Sequence, residues 1–168
     1  ALPAAHRALA LTLWHRGQRQ PAEVEARTLL NLNPSDAFGS YLLGLTSTDA
    51  EESRGFHQRS LEIDPLLLEN YLELSVWSYD ASTAPGDEKE VEAAALLRKG
   101  LALPASETAR APLRQLLGEL LLRKGDARAA LQQADLVIGQ QAEHPRAHFV
   151  RALALWQLGG PARPYAAR

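Results

Sequence analysis

The residues in this sequence with the clearest potential for chemistry are two histidines, His144 and His148, which lie four positions apart. On one helix face, two imidazoles at that spacing can bind a zinc ion. Pro145 lies between them at a predicted helix start, however, and this places His144 outside the helix. No glutamate stands where a metalloprotease needs one. We therefore interpret the pair as two surface histidines and predict no metal site.

A second set of reactive side chains is the acidic run after the turn at Pro85 and Gly86, namely Asp87, Glu88, Glu90 and Glu92. Carboxylates in a first helical turn interact favourably with the helix dipole, so helix capping explains them better than calcium binding does. Asp126 after Gly125 is predicted to be an N-cap for the same reason. Nucleotide-binding glycine motifs and nucleophile elbows are absent from the sequence. We expect no catalytic residues, no cofactor and no enzymatic activity.

Composition restricts the partners further. The 168 residues carry a formal net charge of -2, which gives no long-range field for nucleic acid. The basic clusters at Arg123-Lys124 and at Arg110 with Arg114 have acidic neighbours and are interpreted as solvated helix faces. No apolar run approaches the roughly 20 residues of a membrane span. The absence of cysteine suits the bacterial cytoplasm and periplasm equally, so the compartment stays open.

Proline and glycine divide the chain into blocks. Apolar-periodic stretches end at four pairs: Asn33-Pro34, Asp64-Pro65, Leu103-Pro104 and His144-Pro145. Each block breaks once more near its middle, at Gly17, at 46–50, at 82–87 and at Gly125-Asp126. Each block is therefore predicted to be an αα-hairpin, and the spacing is near the roughly 34-residue period of a helical solenoid. We predict one domain over 1–168 with repeats 3–34, 37–65, 68–104 and 111–144 and a partial fifth at 145–168.

These blocks resemble tetratricopeptide repeats. The Leu-Gly pair of that signature is matched by Leu43-Gly44 and Leu117-Gly118, and its turn glycine by Gly17, Gly125 and Gly159. Its first small position is matched by Ala22, Ala93 and Ala130, its second by Gly100, and its closing proline by Pro34 and Pro65. The consensus aromatics are largely replaced by leucine and alanine. The resemblance implies an all-α, right-handed superhelical solenoid of four repeats and a partial fifth.

The resemblance also implies a concave groove lined by the first helix of each repeat. The matching positions are Arg7, Leu11, Trp14, Phe38, Tyr41, Leu45, Leu72, Val76, Tyr79, Gln115, Glu119, Leu122, Phe149, Leu153 and Trp156. Some relatives hold the terminal carboxylate of a peptide with Lys and Asn. The corresponding positions here are Arg7, Leu11, Leu42, Glu69 and Glu73, and the two glutamates would repel a carboxylate. An amphipathic helix or an extended apolar segment is the expected ligand.

The predicted function is a non-catalytic protein–protein interaction module or scaffold that binds a peptide or helix of a partner, in the assembly of a larger complex. The alternative is structural: self-assembly, or an adaptor between domains of a longer protein. In that case the uncapped C-terminal helix would join copies of the chain, because the second helix of the last repeat would begin only near Pro161. RNA binding by a helical repeat would need cationic positions that recur on one face, and the near-neutral charge disfavours it.

Overall fold

The computed structural model describes residues 2–159, and within this range the chain contains nine α-helices and no strand. The predicted all-α fold is confirmed. The helices are α1 Pro3–His15, α2 Arg19–Leu32, α3 Ala37–Thr46, α4 Ala50–Ile63, α5 Leu68–Asp80, α6 Glu88–Leu101, α7 Glu107–Arg123, α8 Ala127–Gln140 and α9 Pro145–Gln157. The further helix expected from Pro161 lies outside the described residues.

Glycine turns join the helices of a hairpin where the sequence predicts a break. Gly125 has φ +83°, a left-handed backbone conformation that residues other than glycine rarely adopt. Its amide donates to the Leu122 carbonyl over 3.0 Å, and the Asp126 amide donates to the Leu121 carbonyl over 2.8 Å. These two bonds form a Schellman motif that ends α7. Gly17, with φ +73°, occupies the corresponding place after α1.

Acidic and hydroxyl side chains cap the N-termini of several helices. Asp126 accepts a hydrogen bond from the Ala129 amide over 3.1 Å, and Asp87 accepts one from the Glu90 amide over 2.9 Å. Both residues therefore cap helix N-termini, as predicted. The hydrogen bond from Glu90 and a further one from the Thr83 amide lower the pKa of Asp87 to about 2. The acidic run is thus explained by local helix structure.

Small residues lie where the paired helices approach each other. Ala22, Ala93 and Ala130 are each 0% exposed, as the register of the repeats requires. On the facing helix α7, a Cβ added to Gly118 would lie 3.1 Å from Cγ1 of Val150 in α9. The side chains at these positions therefore limit how closely the helices can pack, and bulkier ones would force them apart.

The chain divides into two compact units, Ala1–Leu74 and Ser75–Arg168, and the division falls within α5. In unit 1, α1 packs against α2 and α3, α2 packs against α3, and α3 packs against α4. The buried residues Ala10, Leu29, Leu42 and Leu43 form the centre of its core.

Unit 2 has the same pattern of neighbours. Helix α7 packs against α6, α8 and α9, and α8 packs against α9. Ser106 caps α7 by accepting from the Ala109 amide over 3.2 Å, so the helix begins at Glu107, ahead of the repeat boundary drawn at 111. Pro112 lies inside the second turn of α7. In both units a first helix therefore contacts its own hairpin partner and the first helix of the next hairpin.

Helix α4 carries a row of polar side chains toward its neighbours in unit 1. Its polar face consists of Ser53, His57 and Ser60, and His57 is 4% and Ser60 0% exposed. The imidazole Nδ1 of His57 lies 3.0 Å from Oδ1 of Asn70, whose amide donates to the Ser60 hydroxyl over 2.8 Å. Ser60 in turn donates to the Ala37 carbonyl over 2.6 Å. This chain of hydrogen bonds joins α3, α4 and α5 within unit 1.

Candidate partner-binding site

The predicted groove residues of unit 1 form an aromatic cluster on α1 and α3. The guanidinium of Arg7 lies 5.7 Å from the centre of the Phe38 ring, and the Phe38 and Tyr41 rings lie 5.6 Å apart. Arg7 also donates to the Asp36 carboxylate over 2.5 Å. The Tyr41 side chain is only 8% exposed. Burial raises the pKa of its phenol, and the carboxylates of Glu73 and Glu69 raise it further.

Of the remaining predicted residues of unit 1, Leu11 and Trp14 lie on α1 and Leu72 lies on α5. Leu11 packs against the unit 1 core and is partly buried, and Trp14 and Leu72 are also partly exposed. Burial raises the pKa of the partly buried Glu73 carboxyl. Arg7 is already paired with a buried aspartate. Nothing in this arrangement resembles a set of free donors for a peptide carboxylate.

Unit 2 brings five of the predicted residues together around one open cavity of about 400 Å³. Tyr79 comes from the end of α5, Glu119 and Leu122 from α7, and Phe149 and Leu153 from α9. Arg123, Arg146 and Val150 complete the lining. We call this cavity with its eight lining residues the unit 2 groove. Gln115 lies beside it and donates to Glu119 over 3.1 Å.

The groove has an apolar floor and an exposed aromatic side chain. Leu122 and Val150 are 9% and 1% exposed, whereas Phe149 is 63% exposed. Phe149, Leu153 and Trp156 follow one another at helical spacing on α9, and Trp156 is 66% exposed. A large ring that is left in water beside an apolar depression is available for contact with another molecule.

Arg123, interpreted from the sequence as part of a solvated helix face, is a member of this site. Its guanidinium lies 5.0 Å from the centre of the Tyr79 ring, and its Nε lies 2.7 Å from Oε1 of Glu90. The hydrogen bond with Tyr79 is the main reason that the pKa of Arg123 is raised, with the Glu90 charge adding to it. The sequence shows a cation near a turn glycine, which is common at any helix end, so only the contacts of Arg123 with Tyr79 and Glu90 in the folded chain could reveal this role.

The two histidines considered for metal binding hold the start of α9 instead. Nδ1 of His144 accepts a hydrogen bond from the Ala147 amide over 3.2 Å, so His144 is the N-cap and lies outside the helix. Nε2 of His148 lies 2.6 Å from the Ala142 carbonyl oxygen. Among residues 2–159, no cluster of three or more potential metal-ligating side chains occurs. No helix in that same range combines the length and the apolar character needed to cross a bilayer.

Comparison with known proteins defines the fold. No protein-family model matches the sequence, and no curated protein matches it significantly. Solved structures do match. PilF of Pseudomonas aeruginosa is 17% identical with a TM-score of 0.80, over 94% of this chain and 69% of that chain. A thermophilic TPR protein of Thermus thermophilus is 21% identical with a TM-score of 0.70, over 92% and 82% of the respective chains.

A third similar structure is YrrB, described as a TPR protein with an unusual peptide-binding site. It is 17% identical with a TM-score of 0.66, over 94% of this chain and 78% of that chain. The chain therefore has the tetratricopeptide-repeat fold, a helical solenoid of repeats, as its sequence motifs predict. At these identities the likeness defines the fold, and function has to be argued from the surfaces described above.

Proposed function

We propose that this chain is a non-catalytic protein-binding module, and that the unit 2 groove receives a polypeptide segment of its partner. The observation that carries the proposal is the exposed Phe149 ring beside the apolar floor of the groove. Rigid aromatic side chains bury a large area at little entropic cost, and they dominate the binding energy of many interfaces. The peptide-binding site described for YrrB supports the use of this fold for such a task.

The other predicted residues flank this site or form a second contact area. Trp156 extends the exposed face of α9 beyond the groove. In unit 1, the Arg7, Phe38 and Tyr41 cluster, with Leu11, Trp14 and Leu72, offers a separate aromatic surface. We expect such a protein to act in the assembly of a larger complex by holding its partners together.

A random 12-residue peptide library displayed on phage, panned on the immobilised intact chain, tests the proposal. Selected peptides are then measured by fluorescence anisotropy against the chain and its variants. Phe149→Ala is expected to weaken binding on the order of tenfold, because interface aromatics commonly contribute 1 to 2 kcal/mol or more. Leu136→Ala is the matched control, since Leu136 is an exposed leucine of α8 that does not line the groove. Equal affinity of the Phe149→Ala variant and the unmodified chain would contradict the groove as the binding site.

The structural alternative has its own supporting observation. Leu155, Trp156 and Leu158 near the end of α9 are 40%, 66% and 43% exposed, an apolar area that a second copy of the chain could cover. Sedimentation velocity over a hundredfold range of concentration distinguishes the two functions. Self-association that is abolished by Trp156→Ala would favour assembly, whereas a monomer throughout favours the binding module.

A further inference from the structure

The sequence of α9 repeats that of α1. Residues 5–17 and residues 147–159 share the pattern AHxxxALxLWxxG, which includes the turn glycine after each helix. The two helices also end in the same way. The Gly17 amide donates to the Trp14 carbonyl over 2.8 Å, and the Gly159 amide donates to the Trp156 carbonyl over 3.1 Å. Each position of α9 therefore has a defined equivalent in α1.

In unit 1, α2 covers one face of α1. His6, Ala10 and Leu13 lie on this face, at the spacing of one side of a helix. Nδ1 of His6 lies 2.6 Å from Oε2 of Glu25 in α2. Ala10 is 0% exposed and belongs to the same buried cluster as Ala26 and Leu29 of α2. Helix α1 thus buries this face by pairing with its hairpin partner.

The equivalent face of α9 consists of His148, Ala152 and Leu155, and we call it the open face. All three residues are exposed, and Leu155 is 40% exposed. Helix α9 packs against α7 and α8, and no helix among the described residues of unit 2 takes the place that α2 has on α1. Nδ1 of His148, the atom by which His6 contacts Glu25, has no partner within residues 2–159. The open face shares no residue with the unit 2 groove.

Helix α2 shows which chemistry covers such a face. Ala22 and Ala26 are each 0% exposed, and side chains of this size let two helix axes approach closely. Glu25 supplies the polar contact, and Leu29 is 1% exposed. Helix α8 repeats this arrangement against α7, where Gln133 accepts a hydrogen bond from Arg114 over 3.2 Å. The equivalent residues of α8 are Ala130, Gln133, Ala134 and Val137.

The sequence of residues 160–168 does not carry this pattern. Counted from the turn glycine, the positions of Ala22 and Ala26 correspond to Pro164 and Arg168. The Ala22 amide donates to the Gln18 carbonyl over 3.1 Å, and a proline has no amide hydrogen for this bond. An arginine at a position where alanine is 0% exposed would also be too large for close packing. The pattern that fits the open face has to come from another segment.

We propose that the open face of α9 binds a helix of another protein. Alanine, glycine or serine occupies two positions of that helix four residues apart. A glutamate or glutamine precedes the second of them, and an aliphatic residue follows it by three positions. Such a helix forms with α9 the hairpin that α2 forms with α1, and a glutamate contacts the charged form of the His148 imidazole at Nδ1. Because the open face is separate from the unit 2 groove, this inference does not depend on the proposed function.

A peptide with the sequence of residues 18–33 is the probe, since α2 already has the required pattern. A lactam bridge between side chains placed at positions 27 and 31, both exposed in α2, keeps the short peptide helical. Fluorescence anisotropy measures its binding to the intact chain. Ala152→Gln in the chain should weaken binding by about tenfold or more, because the longer side chain prevents close approach. Ala26→Leu in the peptide should have a similar effect, whereas Val24→Ala, at a position 61% exposed in α2, should have little.

Ala95→Gln is the matched control in the chain, because Ala95 is an exposed alanine of α6. This variant and Phe149→Ala should bind the peptide as the unmodified chain does. Equal binding to the unmodified chain and to Ala152→Gln, as expected if the peptide displaced α2 from α1, would overturn the inference. An absence of binding at millimolar peptide would overturn it too. Self-association that Ala152→Gln abolishes would identify a second copy as the occupant and would likewise overturn it.

Discussion

Two helices occupy equivalent places in their hairpins and solve the same packing problem with different chemistry. At successive spacings of four and three residues, α8 presents Ala130, Ala134 and Val137, which we call its apolar face, and all three are at most 2% exposed. At the same spacings α4 presents its polar face, and Ser53, His57 and Ser60 are hydrogen-bonded to Gly44, Asn70 and Ala37 respectively.

The difference shows what a polar face demands from its surroundings. Apolar side chains can pack against any apolar neighbour of suitable shape. A buried polar group without a hydrogen-bond partner, in contrast, lowers the stability of the fold by about 1 to 3 kcal/mol. His57 also needs space for its ring, and Gly44 provides it: a Cβ there would lie 2.5 Å from the imidazole Nε2. In α7 the atom nearest to a Cβ at the equivalent Gly118 would be a methyl group of Val150, at 3.1 Å. The polar face is therefore the less tolerant of the two.

The substitution of each glycine by alanine gives the largest expected contrast. Gly44→Ala should lower the free energy of unfolding by about 3 kcal/mol, because the new methyl group displaces a ring that Asn70 holds in place. Gly118→Ala should cost about 1 kcal/mol or less, since the Val150 methyl can move a few tenths of an ångström and alanine favours the helix. Urea unfolding followed by circular dichroism measures both values.

A double-mutant cycle with His57→Ala assigns the effect to the ring. The cost of Gly44→Ala should fall to near zero when His57 is already alanine, because the clashing atoms are gone. A cost that is the same in both backgrounds would show that the intolerance of Gly44 has another cause.

The same contrast explains how far the sequence could predict the structure. Prolines, turn glycines and small residues such as Ala22 and Ala130 identified the hairpins, since those residue types meet strict local requirements of backbone and packing. Helix α4 gave no match to the small positions, because serine and histidine are suitable there only when Asn70 lies opposite them. That partner belongs to the next helix, and one sequence does not reveal which side chains meet across a helix pair.

The binding site was predictable to a similar extent. The groove positions of unit 2, including Tyr79, Glu119 and Phe149, followed from the repeat register, and the structure places these three around one cavity. Whether they bind a partner is still a prediction. The place of Arg123 in the lining depends on its contacts with Glu90 and Tyr79, which lie on other helices. Residue type and spacing carry no information about such contacts.

A bulky residue on the apolar face of α8 tests the tolerance assigned to it. Ala130→Leu should cost about 2 kcal/mol, because Ala130 is 0% exposed and its carbonyl lies within 3.7 Å of a Cβ built at Gly118. Arg128→Leu on the exposed side of the same helix should change the free energy of unfolding by no more than about 0.5 kcal/mol. Thermal unfolding of the two variants separates them, and wild-type stability of Ala130→Leu would refute the packing register proposed for α8.

The smallest expected effect is a dependence on pH that only the polar face can produce. Burial lowers the pKa of His57 below its ordinary value of 6.5, although the Asn70 hydrogen bond partly opposes the shift. As the pH falls below 6.5, the unfolded chain binds a proton at His57 before the folded chain does. Folding stability therefore decreases with acidification until the pKa of the folded state is reached, by up to about 1.4 kcal/mol per pH unit.

His57→Asn isolates this contribution, because asparagine does not titrate and keeps a donor for Asn70. Glu73 acts in the opposite direction, since burial raises the pKa of its carboxyl and acidification then favours the folded state. The quantity to measure is accordingly the difference in unfolding free energy between the unmodified chain and His57→Asn, from pH 7.5 to pH 5.5, in which the Glu73 contribution cancels. That difference should shrink on acidification. If the difference in unfolding free energy is constant across this pH range, His57 binds its proton equally well in the folded and the unfolded chain. The expected effect of burial on its pKa would then be refuted.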